Sequence, residues 1–494
     1  MFSERFFRNY KWLLVAALIL MMIPILWAMF YVRPVLDDLY QPLPVMRTWR
    51  ETGSLIEMFK TVFEEVKSYY MEFSGIFFTM FLSVLPLSIY HDSIIFIHVM
   101  LLFFFLMFSL YTTGRSILRT LLPDISRDAA SCAGLLLCIM VLLFLPSYRE
   151  GIFWYMGTMG YSVIFGMALL LFTFLLNGIV KESKSIWRLV VLCIGFFCIG
   201  AANWVTPTMS IVVYAALGVW IIIKKKQKRY LIPFFCMISS YLISIAAPGN
   251  VIRTGMMNQT PSLVESGVQA MVKAYQFAFS NGLHYVFLLL FLPVGYEAAR
   301  HASLSDRYPV WVPAVSWCVL GANYFPFVYK SSYWSPRHSN SCFLLLAVLL
   351  VINVLVLIVW ATKRCNGRQL IKTGRGMLAL GMTAMVTIGL MSVTQMNWKL
   401  HIFNCTLQPA SLIMNLIDGS IERYAQDYDD LAAYVAEHAG EDIVITPDML
   451  PENEFVGPHE AVVAESAEEL RSIGFAGWWG GEGTTIMCKE ATEE

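Results

Sequence analysis

From Trp12 to Val32 the chain runs without one charged side chain, and about 20 such residues in a row are what a helix needs to cross the hydrocarbon of a bilayer. Similar runs follow at Ala129 to Leu145, Met159 to Leu176, Trp187 to Ala202, Thr208 to Ile223, Tyr230 to Ala247, Leu283 to Tyr296, Val310 to Phe325, Cys342 to Ala361 and Met377 to Thr394. In lipid, a chain satisfies its backbone polar groups only as helices or a closed barrel. Runs of this length select helices. The composition agrees: 57% hydrophobic and 14% charged residues, with a mean hydropathy of +0.61 over 494 residues, lie far from soluble globular proteins. The expected fold class is an all-α polytopic membrane protein.

Basic residues decide the expected orientation, because loops rich in Lys and Arg stay in the cytoplasm. Arg5, Arg8 and Lys11 precede the first run with no small-residue cleavage site, so the N-terminus reads as a retained cytoplasmic anchor. Loops holding Arg115/Arg119/Arg127, Lys181/Lys184/Arg188, Lys224 to Arg229, Arg300/Arg307 and Lys363 to Arg375 alternate with nearly base-free ones. Between Gly75 and Tyr111 there are two apolar runs where the alternation demands an odd number of crossings. One full span plus an interfacial or re-entrant piece resolves this and gives about eleven crossings. The formal net charge of +0 says nothing about partners, since it sums a basic face and an acidic tail.

Two regions follow. Residues 1–396 form the transmembrane domain, with a first outer loop at 33–74 that carries an amphipathic helix (Leu55, Ile56, Phe59, Val62, Phe63 and Val66 at helical spacing). Residues 397–494 form a small acidic α/β domain outside the cytoplasm, with helices at Ile421 to His438 and Ser466 to Ser472 and a strand at Ile443 to Thr446. Most of the ten cysteines sit in apolar runs as small hydrophobes; Cys405 and Cys488 fall in the tail and are available to pair in an oxidising space.

The unusual residues gather on the outer side of this topology. Asp37 and Asp38, in Arg33 to Tyr40 (RPVLDDLY), follow the first span directly. A carboxylate at a partly dehydrated interface has a raised pKa and suits a general base toward a hydroxyl. Two adjacent ones are also a donor set for a divalent cation, and both are equally readable as charges that keep the helix from sliding inward. In Ala246 to Arg253 (AAPGNVIR) a tight turn ends a span and sets Arg253 at the level of lipid phosphates, as a bidentate anion contact or a snorkelling side chain. In Tyr333 to His338 (YWSPRH), Tyr333, Trp334, Arg337 and His338 suit a sugar-phosphate, or belong to the aromatic belt. Arg149 to Gly157 (REGIFWYMG) repeats the combination with Glu150, Trp154 and Tyr155.

A first span, an outer loop opening on an acidic motif, an amphipathic segment, many further spans and an outer C-terminal domain resemble the GT-C class of membrane glycosyltransferases. More narrowly, DDLY with the later FWYMG, APGN..R and SPRH segments is similar to a family of poorly characterised bacterial multispan proteins grouped with that class. The resemblance covers most of residues 1–400. It implies an inverting enzyme of the bacterial cytoplasmic membrane that moves a sugar from a polyprenyl-phosphate donor to a glycan, lipid or protein acceptor of the cell envelope, as in polysaccharide modification. It also implies that Asp37 or Asp38 is the base, with Arg253 and Arg337 on the donor phosphate. The short acidic tail departs from that pattern and leaves the acceptor open. A lipid-linked glycan polymerase, ligase or flippase would also be multispan, with paired outer arginines. A secondary transporter would show internal repeats and mid-membrane charges, and neither is visible. A structural or sensory membrane protein remains a further class.

Overall fold

The computed structural model describes residues 2–91, 94–225, 227–255, 262–280, 282–302, 309–330, 335–364, 374, 376–379, 381–383, 408–457 and 462–489. Helix α1, Glu4–Met29, opens where Ser3 Oγ accepts the Phe6 N–H at 3.2 Å. Its 26 residues reach about 39 Å, more than the hydrocarbon thickness. Trp12, Leu20 and Ile23 on α1 are 62%, 68% and 52% exposed, a face that suits lipid and not water. Next come α2 (Asp37–Tyr40), α3 (Leu43–Thr52) and the amphipathic α4 (Leu55–Glu72). Gly53, at φ 59°, ends α3, and the Ser54 hydroxyl accepts the Glu57 N–H at 3.4 Å to start α4. The Gly75 to Tyr111 stretch resolves into a short α5 (Phe77–Ser83), a single turn at Leu87–Ile89 and one long α6 (Ile95–Leu121). Only α6 is long enough to cross, so the stretch holds one span with a short accompanying piece, as expected.

Helix α7 (Arg127–Phe144) leads into an irregular stretch: π-helical Arg149–Phe153, α8 (Tyr155–Gly157) and π-helical Thr158–Val163, continuing as α9 (Ile164–Val180). Then follow α10 (Ile186–Gly200), α11 (Val205–Trp220), α12 (Ile232–Ile245), α13 (Pro248–Gly255), α14 (Leu263–Phe279), α15 (Leu283–Phe287), α16 (Leu292–His301), α17 (Trp311–Lys330) and α18 (Pro336–Arg364). Among the described residues six helices are long and apolar enough to span: Glu4–Met29, Ile95–Leu121, Arg127–Phe144, Tyr155–Val180, Val205–Ile223 and Pro336–Arg364. Two bent pairs add to them, Lys228–Ile245 with Pro248–Gly255 at 49° and Leu263–Phe279 with Leu283–His301 at 61°. The chain is a multi-pass membrane protein.

One expected span differs from the sequence reading, and one falls outside what the structure describes. The expected span Leu283 to Tyr296 is broken into α15, a tight turn and α16, and it is the continuation of α14, which the sequence did not disclose. The last expected span, Met377 to Thr394, lies almost wholly outside the described residues. Helix α7 lies at the centre of the main core, packed by α1, α6 and α18, while α14 and α17 pair alongside. A smaller core between α9 and α12 is built on Phe196, Tyr214 and Met237. Lys11 reaches Asp128 at 2.6 Å, which fixes the starts of α1 and α7 at one end of the bundle. Asp37 therefore lies at the other.

The C-terminal part comprises α19 (Gln408–Ile417), α20 (Ser420–Glu437), β1 (Asp442–Ile445), α21 (Leu470–Trp479) and β2 (Thr485–Cys488), with β1 and β2 parallel. The helix expected at Ser466 to Ser472 is shifted to α21. Gly474 and Gly477, which read as helix breakers, are inside the helix because their missing side chains let it settle on Tyr40 and Leu43. Cys488 is buried on β2 and pairs with no cysteine among the described residues; Cys405, the expected partner, lies outside them.

The turn after α12 is knitted to the end of α4. Gly75 N–H donates to Asn250 Oδ1 at 3.2 Å, and Asn250 Nδ2 donates to the Ser244 and Ile245 carbonyls at 2.7 and 3.1 Å. A methyl on Gly249 would run into the Phe73 backbone nitrogen and lie 2.8 Å from that of Ser74. Gly249→Ala should therefore cost about 1–3 kcal/mol through a forced backbone shift. The measurement is the unfolding temperature of the detergent-purified protein; an unchanged value would show that the two backbones do not meet.

Candidate functional site

Five segments converge at the Asp37 end: the exit of α1, the C-terminus of α4, the irregular stretch 149–163, α13 and the start of α18. Two of them are tied by a buried carboxylate. Asp38 is 2% exposed; its Oδ1 accepts the Met156 N–H at 3.0 Å and its Oδ2 accepts the Val35 N–H at 3.5 Å. Burial pushes the Asp38 carboxyl well above the usual range, the two N–H donors oppose this, and the charge of Asp37 adds to it. Asp38 is thus a fastening, its oxygens turned to backbone donors.

Asp37 is different. Successive residues of a helix point about 100° apart, so with Asp38 turned inward Asp37 faces the rim. It is half-buried, and its carboxyl oxygens have no hydrogen-bond or ion-pair partner among the described residues. Burial raises its pKa, and the Arg337 guanidinium opposes the rise. Just before it Leu36 adopts φ 51° and ψ −123°, a conformation that costs a residue with a Cβ on the order of 1–3 kcal/mol. Contacts from the C-terminal part hold it. Arg33 makes a bidentate pair with Asp429, Nε to Oδ1 and Nη2 to Oδ2 both at 2.7 Å, and the Tyr428 hydroxyl donates to the Pro34 carbonyl at 2.7 Å. Helix α21 packs directly on α2.

The two arginines singled out in the sequence come to the same place. The Arg337 guanidinium lies 5.2 Å from the Trp154 ring centroid, its Nε donating to Ser335 Oγ at 3.0 Å. Arg253 is exposed and lies 4.7 Å from the Phe73 ring. Glu150 approaches Arg149 at 3.6 Å with Oε2 buried and unpartnered, and the Trp154 indole N–H is also unpartnered. The other two residues are structural. The Tyr155 hydroxyl donates to the Leu82 carbonyl at 2.7 Å with its ring against His98. His338 is packed 3.7 Å from the Phe327 ring, its Nδ1 accepting the Ser335 N–H at 3.1 Å. Tyr333 and Trp334 lie outside the described residues.

The sequence reading missed Tyr69 and Tyr161. Burial raises the Tyr69 hydroxyl, which feels the charges of Arg253, Asp37 and Arg337. Arg337, Arg253 and Glu150 act on that of Tyr161. In sequence both pass for interfacial aromatics. Both Asp38 oxygens face backbone N–H groups. Among the described residues no group of three His, Cys, Asp or Glu side chains is placed to hold a metal ion. The arrangement is one unpartnered carboxylate under the influence of Arg337, with Arg253 on the same half-dehydrated rim through Tyr69, suited to taking a proton beside an anion. Comparisons of the chain with protein families, curated proteins and solved structures found no match.

The two aspartates should separate in variants. Asp38→Asn sets an amide N–H₂ against a backbone N–H and should lower stability by about 1–3 kcal/mol, read as a lower unfolding temperature in detergent. Asp37→Asn should leave that temperature unchanged. Equal effects would contradict the division of roles.

Proposed function

We propose that the Asp37 end is the transfer site of an inverting GT-C-type glycosyltransferase that takes a sugar from a polyprenyl-phosphate donor and passes it to a cell-envelope glycan, lipid or protein. The observation that carries this reading is the unpartnered carboxylate of Asp37 under the influence of Arg337, with Arg253 acting on the same Tyr69 of the amphipathic α4. In the reaction the acceptor hydroxyl oxygen attacks the anomeric carbon as its proton passes to Asp37. The bond from that carbon to the phosphate oxygen breaks, and the electron pair leaves on the polyprenyl phosphate. Arg253 and Arg337 face the place where that charge develops. The proton then returns from Asp37 to water.

The topology that goes with this has a cytoplasmic N-terminus, eleven crossings and residues 397–494 outside, in a bacterial cytoplasmic membrane. Base-rich loops meet away from Asp37: Lys11 reaches Asp128, Arg229 reaches the Ser183 carbonyl and Lys363 the Ala302 carbonyl, which supports that orientation. The pairing of Arg253 with Arg337 also favours a second reading, a ligase, polymerase or flippase acting on diphosphate-linked glycans. A secondary transporter has no such support.

The test is label transfer from polyprenyl-phosphate sugars in membranes carrying wild type or Asp37→Asn at matched levels. Loss of about 10²-fold or more is expected for removal of a general base. Transfer only from diphosphate-linked glycans would favour the second reading, and full activity of the variant would exclude Asp37 as base. The base must be ionised, so kcat/KM should rise with pH through a value above the usual carboxylate range. Because Arg337 favours ionised Asp37, Arg337→Gln should move this acid limb to higher pH; a limb that stays in place would separate the two groups.

A further inference from the structure

We propose that Tyr69 and Tyr161 are anion-binding residues which, together with Arg253 and Arg337, form a four-donor cradle for the phosphate of an isoprenyl phosphate ester. Both arginines rest on aromatic faces, Arg253 on Phe73 and Arg337 on Trp154. Stacking occupies the face of a guanidinium and leaves its in-plane N–H groups free to fork onto an oxyanion. Among the described residues Arg253 has no hydrogen-bond or ion-pair partner, and only the Nε of Arg337 is engaged.

Each tyrosine packs against a ring that neighbours one of the two cations. The Tyr69 ring lies 5.0 Å from that of Phe73, on which Arg253 is stacked. The Tyr161 ring packs edge-on at 6.0 Å against His338, the neighbour of Arg337 in sequence. Both tyrosines are half-buried, and neither hydroxyl has a hydrogen-bond partner among the described residues. Each hydroxyl feels the charge of both arginines. Two unpartnered O–H donors near two guanidinium groups match the oxygens of a phosphate ester; of the two carboxylates close by, Glu150 is engaged by Arg149 at 3.6 Å, which leaves both guanidinium groups against Asp37 alone. Alongside, α4 and α13 expose Phe63, Phe73, Val251 and Ile252, an apolar flank suited to an isoprenoid tail. The inference rests on the transferase reading only in naming the ester as lipid-linked.

The experiment measures binding of farnesyl phosphate, inorganic phosphate and farnesol to the full-length protein in nanodiscs, for wild type, Tyr69→Phe, Tyr161→Phe and the double variant. Each Tyr→Phe change keeps the ring and removes one donor to a charged acceptor, so affinity for farnesyl phosphate should fall about tenfold. Farnesol binding and the unfolding temperature should stay constant. Wild-type affinity in the double variant would overturn the cradle. Inorganic phosphate binding as tightly as farnesyl phosphate would overturn the lipid ester in favour of free phosphate. Tyrosine-dependent binding without sugar transfer from any donor would sink the transferase reading and leave the cradle. Full transfer with unchanged phosphate affinity in the double variant would do the reverse.

Discussion

The hydrogen bond from the Met156 N–H to the buried Asp38 carboxylate is the contact on which the site end depends. It joins the exit of α1 to the irregular stretch 149–163, two segments far apart in sequence. A carboxylate in such a place is costly to ionise, and backbone donors make it tolerable. Without this tie α2 would rest on α21 and the Arg33 and Pro34 contacts alone. It is four residues long, has no side-chain cap and follows a strained Leu36. The strain persists because contacts on both sides over-determine the backbone: the Asp38 carboxylate within the bundle, and Asp429 and Tyr428 from α20.

The same logic accounts for the π-helical turns. A π turn widens the helix by one residue per turn, and such turns concentrate at functional sites. Here two of them flank the three residues of α8. That stretch sets Trp154 under Arg337 while the Met156 N–H is presented to Asp38. A regular helix across 149–163 would carry these groups along a different line. The cost is a set of incompletely paired polar atoms, including Glu150 Oε2 and the Trp154 indole N–H.

What the sequence disclosed follows what each residue does. Long apolar runs such as Trp12 to Val32 announce themselves because the bilayer reads length and hydropathy alone. Helix α14 stayed hidden because Glu265, Gln269 and Lys273 interrupt its apolar face, and its pairing with α17 is a tertiary fact. Strand β2, four residues long, carries no period to read. The four motifs around Asp37, Glu150, Arg253 and Arg337 were visible as odd residues in otherwise apolar surroundings, and the structure brings one charged side chain from each toward a common rim. The difference between Asp37 and Asp38 was not visible, since it depends on which of two neighbours meets the backbone of residue 156. Tyr69 and Tyr161 were overlooked for a related reason: an aromatic at an interface is ordinary until its neighbours are known.

The position of the rim has an electrostatic consequence. In water a guanidinium a few ångströms from a carboxylate gains about 1 kcal/mol, and several times that where solvent is partly excluded. Half-burial therefore strengthens the influence of Arg337 on Asp37 while raising the cost of ionising Asp37 at all, and the two effects oppose each other. The net result is a carboxyl raised above its ordinary value by burial and held back by the cation. Full burial would freeze it in the neutral form, as the surroundings of Asp38 push that group. Full exposure would screen the arginine away. Of two adjacent aspartates, one has the interior and its backbone donors and the other has the rim and its cation, and only the second is left free to act.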